Sequence, residues 1–256
     1  MLTLALVVAV VAALRGMWSP CGLSMLSSLN PVSERARGNR FWLTECWYVA
    51  GATVGGMALG VAAAFAAFGV GRFDLATAAT WTVVLVAALI AVASDTAVFG
   101  RSLPDHPRQV DERWLVRYRR WVYAAGYGVQ IGSGFATYIM TAAVYLTVVL
   151  AVLTGSPGQA FAVCVVFGAV RGLTILVAAT ARTPERLRAT HQRLAALDGA
   201  SLLGATVACA AVAVVAGYAL GGGGVALAVV AACAAAVTVA RSRALSRRAP
   251  IPGTAR

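Results

Sequence analysis

The sequence contains no lysine: its 21 basic residues are all arginines, set against 9 acids and two histidines. Charged residues fill only 12% of the positions, about half the share of an ordinary soluble domain, which excludes a solvated globular surface. No CxxC pair or Cys/His spacing occurs among the five cysteines, so a zinc box is excluded, and neither a nucleophile triad nor a phosphate loop is present. The opening stretch "MLTLALVVAVVAAL" lacks the basic region and the cleavage site of a signal peptide and is expected to stay as a helix. Exclusive use of arginine beside abundant Ala, Val and Gly fits a GC-rich coding bias and carries no arginine chemistry of its own.

What is present is apolar. Hydrophobic residues make up 60% of the 256 positions and the mean hydropathy is +0.81, the composition of a polytopic membrane protein. A hydrocarbon core about 30 Å thick takes roughly 20 apolar residues in a helix. Seven runs approach that length, near 2–29, 42–68, 76–99, 122–152, 159–181, 199–220 and 225–240. The expected fold is therefore all-α, a membrane-embedded helical bundle of about seven spans.

The gaps between runs alternate in charge. Arg35, Arg37 and Arg40 face only Glu34 in the first gap, and six arginines face Asp105, Asp111 and Glu112 in the third. Four arginines face two acids in "RTPERLRATHQRLAALD", and five arginines lie in the tail, whereas "GVGRFDL", "TGSPGQ" and "GGGG" carry no net charge. Arginine-rich gaps stay in the cytoplasm, so the N-terminus is expected outside and the C-terminus inside the cytoplasmic membrane. The arginines thus read as topology signals in a lipid bilayer, and nucleic acid is not expected as a partner.

Two basic segments read as interfacial helices. Thr183, Pro184 and Glu185 supply an N-cap, a proline at the first helical position and an acid at the positive dipole end, with Leu187, His191, Leu194 and Leu197 following at helical spacing. Val110, Trp114, Tyr118 and Trp121 do the same ahead of the fourth run. His106 and His191 are read as loop residues without metal partners. Gly51/Gly55, Gly56/Gly60, Gly128/Gly132 and Gly168/Gly172 are each four apart, the spacing that lets helix backbones approach closely.

Three runs on either side of the long basic gap, in opposite orientation, suggest a three-plus-three inverted repeat with one added helix. Residues 1–220 would form the core, with halves about 1–99 and 122–220; 221–240 would be the additional helix and 241–256 a basic cytoplasmic tail. The first and fourth runs align as "GMWSPCGLSM" over "SGFATYIMTA", placing Ser19, Pro20 and Cys21 opposite Ala136, Thr137 and Tyr138.

The motif "WSPCGLSMLSSLNP", with Ser19, Pro20, Cys21 and then Pro31, resembles the first core helix of the transmembrane thiol-disulfide proteins of cytochrome c biogenesis, CcdA, and of the membrane domain of DsbD. "GVQIGSGFATY", with Phe135 at the aromatic position, and "AFAVCVVFGAVRGLTILVAA" are similar to that family's fourth and fifth core helices. The resemblance covers roughly residues 1–220. It implies a thiol redox relay across the membrane, with a thioredoxin-like partner, no cofactor, and Cys21 beside Pro20 as the reactive site. The chain departs from the family at Tyr138, where the second core cysteine is expected, leaving Cys46 and Cys164 as the cysteines of a rewired pair.

Several residues carry candidate chemistry independently of that resemblance. A kink at Pro20 would free backbone carbonyls and expose the sulfur of Cys21 to a cavity, where it cycles with a redoxin or binds a soft cation; otherwise Cys21 is a packing residue. Met17, Cys21 and Met25 fall at i, i+4 and i+8, a spacing that would suit Cu(I). Arg15 and Arg171 lie within their spans, where an unpaired charge costs about 2.5–3.5 kcal/mol, and Asp95 and Glu45 are the acids expected to answer them. Gln130, Ser133, Thr137 and Tyr138 would line a polar cavity with Arg15, Asp95 and Arg171. Cys209 and Cys233 sit in plain apolar runs and read as packing. Besides the relay, two functions stay open: a small-solute or ion exporter on the same scaffold, and a non-catalytic membrane assembly partner.

Overall fold

The computed structural model describes residues 1–73, 76–98 and 110–248, with side chains as far as Val239. His106, Asp105 and the first part of the third basic gap, like the tail from 249 onward, lie outside the described residues. Every regular element among the described residues is a helix. In chain order they are α1 (Leu2–Arg15), α2 (Pro20–Ser28), α3 (Pro31–Ala36), α4 (Phe41–Arg72), α5 (Thr77–Asp95), α6 (Trp114–Arg117), α7 (Arg120–Gly132), α8 (Ala143–Val152), α9 (Pro157–Leu173) and α10 (Pro184–Arg248). Short 3₁₀ turns follow α1 at Gly16–Trp18 and α9 at Thr174–Thr180.

Four helical segments are long and apolar enough to cross a bilayer: Phe41–Arg72, Thr77–Asp95, Pro157–Thr180 and Pro184–Val239. The pair Leu2–Trp18 and Pro20–Ser28, bent by 64°, makes a fifth if it is one span. Such helices are compatible with a membrane protein. The expected seven runs are not all continuous helices. The first is broken between α1 and α2 and the fourth between α7 and α8, whereas the sixth and seventh runs, both within α10, are two helices that meet at a kink at Gly221 (φ −145°) and Gly222 (φ 67°).

α4 packs against both α7 and α9, and glycine determines how close these neighbours come. A methyl group at Gly51 would fall 2.1 Å from the carbonyl oxygen of Ala125, and one at Gly55 2.3 Å from that of Val129. These contacts advance together along both chains, so α4 and α7 run parallel. On the other side of α4, Gly56 meets Cys164 and Gly168 while Gly60 meets Phe161, so α9 runs antiparallel. All four glycine pairs read from the sequence lie at these seams. Backbones this close trade many weak dispersion contacts in a medium where burial of apolar surface supplies little drive.

The N-terminal motif has a local explanation. The Ser19 side chain accepts a hydrogen bond from the Gly22 N–H at 3.0 Å and donates to the Gly16 carbonyl at 2.7 Å, and Pro20 takes the first position of α2. Asn30 repeats the device: its Oδ1 accepts from Val32 and Ser33, both at 3.0 Å, with Pro31 first in α3. Serine and asparagine satisfy open N–H groups, and proline lacks the one that would be left over.

Thr183 caps α10 through the Arg186 N–H at 3.3 Å, as its position suggested. His191 is therefore a helical residue, and its Nε2 lies 3.1 Å from the Ser27 hydroxyl. The other segment read as an interfacial helix is interrupted: α6 stops at Arg117, and Tyr118 is extended. The turn lets Trp114 stack on Tyr127 with ring centroids 5.8 Å apart, against the space left by Gly126.

Candidate functional site

Polar side chains inside the bundle gather where helices break. The first break lies between α1 and α2. Arg15, the last residue of α1, is 3% exposed and donates to Asp198 Oδ1 of α10 at 2.5 Å. Trp18 donates through Nε1 to the Leu194 carbonyl at 2.8 Å, and the Arg15 guanidinium sits 5.8 Å from the Trp18 ring. The acid in direct contact with Arg15 is thus Asp198, while Asp95 acts on it only as a longer-range charge and Glu45 forms no ion pair with it among the described residues.

Arg171 of α9 reaches the same break from the other side. It is 2% exposed, its Nε has no hydrogen-bond partner, and its guanidinium carbon lies 5.7 Å from the Phe167 ring. Gly16 makes room for it, since a methyl group there would fall 2.5 Å from the guanidinium nitrogen. Gly16, Met17, Gly22, Tyr48, Arg171 and Thr174 are among the walls of a cavity of about 10 Å³, the room of a single water molecule. Among the described residues no acid is paired with Arg171, so the ion pair expected there from Asp95 or Glu45 does not form.

Cys21 is fully buried, packed in the cluster that holds Met17, Met25 and Tyr48. Because Pro20 starts a new helix, it does not open a kink that exposes the sulfur, and Pro20 itself faces outward. The same start breaks the helical register between Met17, which lies in the 3₁₀ turn, and Cys21; only Cys21 and Met25 share a helix. Cys46 is exposed and Cys164 buried, no disulfide joins any of the five cysteines, and Cys209 and Cys233 are buried in the apolar core as expected.

The second break is the non-helical stretch from Ser133 to Ala142, which Gly134 enters with φ +74°. Asp95, at the end of α5, closes it. Its carboxylate accepts from Thr141 Oγ1 at 2.5 Å and from the Ala142 N–H at 2.7 Å, and Thr141 Oγ1 accepts from Ala143 at 3.2 Å. An acid from another helix therefore caps the N-terminus of α8, where a negative charge is also favoured by the dipole. Ser133 donates to the Gln130 carbonyl at 2.8 Å, Thr137 is buried with its hydroxyl unpartnered, and Tyr138 is half-buried. Ser133, Thr137 and Tyr138 thus lie in the break and Gln130 in the last turn of α7 before it, with Tyr138 packed against the cluster that holds Met17 and Cys21.

Sequence reasoning missed a third polar cluster. Glu34, counted only as a loop charge, is fully buried and accepts from Arg37 at 2.6 Å, Thr44 at 2.6 Å and Tyr123 at 3.1 Å. Asn39 donates to the Tyr123 hydroxyl at 3.0 Å. The spacing of Glu34 and Arg37 was the available signal, since residues three apart on a helix meet. Glu45, by contrast, is 3% exposed with both carboxylate oxygens unpartnered. Among the described residues no group of three or more His, Cys, Asp or Glu side chains is placed to hold a metal.

No family model and no solved structure matches the chain. It is similar to the methylamine utilization protein MauF of Paracoccus denitrificans, 32% identical over 209 residues that cover 76% of this chain and 72% of the relative. MauF of Paracoccus versutus is 29% identical over 194 residues, 72% of this chain and 69% of the relative. MauF of Methylorubrum extorquens is 29% identical over 173 residues. These relatives overturn the resemblance to CcdA and DsbD, and with it the assignments to cytochrome c biogenesis and thiol-disulfide exchange, and they lend no support to a thioredoxin-like partner. A solute exporter is equally not what these relatives are named for.

Proposed function

The chain belongs to the MauF family of methylamine utilization proteins, and on that premise we propose that it is a membrane-embedded component of methylamine utilization. The observation that carries the proposal is the 32% identity to a relative bearing that name, spread over 209 residues rather than confined to one motif. The interior agrees with a membrane-embedded bundle: Arg15, Asp95 and Arg171 all serve broken helices, and each break lies inside protein, where non-helical backbone is tolerated at membrane depth.

The proposal includes a topology. Seven spans cross the cytoplasmic membrane, with the N-terminus outside and the C-terminus in the cytoplasm. Residues 1–220 form the core, 221–240 an added span and 241–256 a basic tail. Parallel packing of α4 and α7, with α9 antiparallel, supports counting them as the second, fourth and fifth spans. The break at Gly221 and Gly222 supports dividing α10 into two spans. Supporting the inverted repeat, the two helices aligned by sequence are both broken, at Gly16–Ser19 and at 133–142, and the aligned residues fall at those breaks.

The test is genetic. Disrupting the gene in its own host is expected to abolish growth on methylamine while leaving growth on an unrelated carbon and nitrogen source intact, with a plasmid copy restoring the former. Unimpaired growth on methylamine would refute the proposal. Reporter fusions after residues 40, 155 and 200 read the topology separately.

A further inference from the structure

At the entrance of α4 lies a cavity of about 680 Å³ whose walls include Arg35 of α3, Arg40, the first residues of α4 and Arg182 beyond the 3₁₀ turn after α9. All three arginines are exposed, and none takes part in an ion pair among the described residues. The acids nearest in sequence are already engaged. Glu34 is held by Arg37, Thr44 and Tyr123, while the carboxyl of Glu185 is kept below its usual range by its own backbone N–H and the Thr183 hydroxyl.

A second observation concerns the helix itself. α4 is 32 residues long, yet it starts without a side-chain cap and with no acid in its first turn. Its positive end, carrying open N–H groups, faces the cavity through Phe41, Trp42 and Leu43. Three unpaired guanidinium groups and an uncapped helix N-terminus together call for an anion. Trp42 and Leu43 are 59% and 43% exposed on the wall that continues along the apolar outer face of α4. An anion that also carries hydrocarbon fills both surfaces, and tryptophan marks the depth of lipid headgroups.

We propose that this cavity binds the headgroup of an anionic phospholipid, its phosphate held by Arg35, Arg40, Arg182 and the start of α4, its acyl chain lying along Trp42 and Leu43. The site is a lipid position fixed in the fold, independent of the reading of the chain as a methylamine utilization protein. Arginines at the membrane surface each strengthen attraction to anionic lipid by about fivefold, so removing all three is expected to weaken binding on the order of a hundredfold.

The experiment uses the full chain, delipidated in an uncharged detergent and titrated with phosphatidylglycerol, phosphatidylcholine or inorganic phosphate. Bound lipid is counted by native mass spectrometry, and the unfolding midpoint is followed in parallel. Saturable retention of phosphatidylglycerol that phosphatidylcholine does not displace, reduced stepwise in R35Q, R40Q and R182Q but unchanged in R113Q, is expected. Equal retention of both lipids overturns the proposal, as does retention indifferent to the three arginines. If inorganic phosphate stabilises the protein as well as the lipid does, the cavity is a free-anion site and the lipid assignment is wrong. The lipid and phosphate competitions are made on the wild-type chain, so the outcome does not depend on any variant folding.

Discussion

Gly132→Ala tests whether glycine spacing holds this bundle together. The added methyl group would lie 2.0 Å from the Ala52 carbonyl oxygen, whereas carbon and oxygen settle at about 3.3 Å or more, a shortfall of about 1.3 Å. Neither contact can swing away, because both belong to helix backbones. The helices must part, and a gap of about 0.5–1 Å already forfeits a quarter to a half of each dispersion contact along the seam. Overpacking of this kind costs about 1–3 kcal/mol, and the upper end is expected where backbone meets backbone. Where α4 relaxes from α7 toward α9 it meets a second seam, since a methyl group at Gly168 would fall 2.6 Å from the same Ala52 oxygen. Gly132→Ala and Gly168→Ala should therefore be worse together than the sum of the two, since each removes the other's escape. Unfolding free energies from a denaturant titration in mild detergent measure the coupling. Gly204→Ala is the control: nothing lies within 4 Å of the new methyl group, and alanine favours the helix by up to about 1 kcal/mol. If Gly132→Ala behaves like Gly204→Ala, or if the pair adds within about 0.5 kcal/mol, the argument from close approach is refuted.

Asp198→Ala leaves the Arg15 guanidinium buried without its acid. Breaking a wholly buried pair costs about 3–5 kcal/mol, but the Asp198 side chain is 54% exposed and water replaces part of it, so a loss of about 1–3 kcal/mol is expected in the same titration; no loss would mean that the pair contributes nothing. Asp95→Asn keeps a carbonyl oxygen for one N–H or hydroxyl and should cost less than Asp95→Ala, which strands the Ala142 N–H and Thr141 and should cost about 1–3 kcal/mol. Equal effects of the two substitutions would show that Asp95 does not cap α8.

The all-helical, bilayer-compatible character of the chain was legible because composition alone requires it, and the four glycine pairs marked the real seams because a missing Cβ is a statement about distance. Thr183 and Pro184 were read correctly as a helix start for a similar reason: a cap is local. Charge pairing was not legible. Asp198 is 183 residues from Arg15 and lies at the end of a stretch that read as an interfacial helix, so nothing in the sequence singled it out over Asp95. Glu34 misled in the opposite sense. A loop acid counted for topology is fully buried, because the loop folds back so that Thr44 and Tyr123 reach it. Pairing depends on which helices become neighbours, and residues 133–142 show how far that can depart from a run of apolar letters: a span by composition, it is a break stabilised by an acid from α5.

The Ser-Pro-Cys motif shows why a short match misled. Serine followed by proline is a favoured way to start a helix: Ser19 satisfies the Gly22 N–H, and Pro20 occupies the position that has no acceptor. Asn30 and Pro31 do the same eleven residues later with no cysteine after them. The part of the motif that repeats is therefore the part that folds the chain, and it carries no redox chemistry of its own. A redox relay would need the sulfur of Cys21 to reach a partner. In this fold the sulfur is sealed between Met17, Met25 and Tyr48, and the aligned position in the second half holds Tyr138. The bend at Ser19 instead brings Gly16 against the Arg171 guanidinium and Trp18 against Leu194. What the motif specifies here is the docking of α1 and α2 onto α9 and α10. That architectural role is consistent with a family whose members match this chain across most of its length rather than at one cysteine.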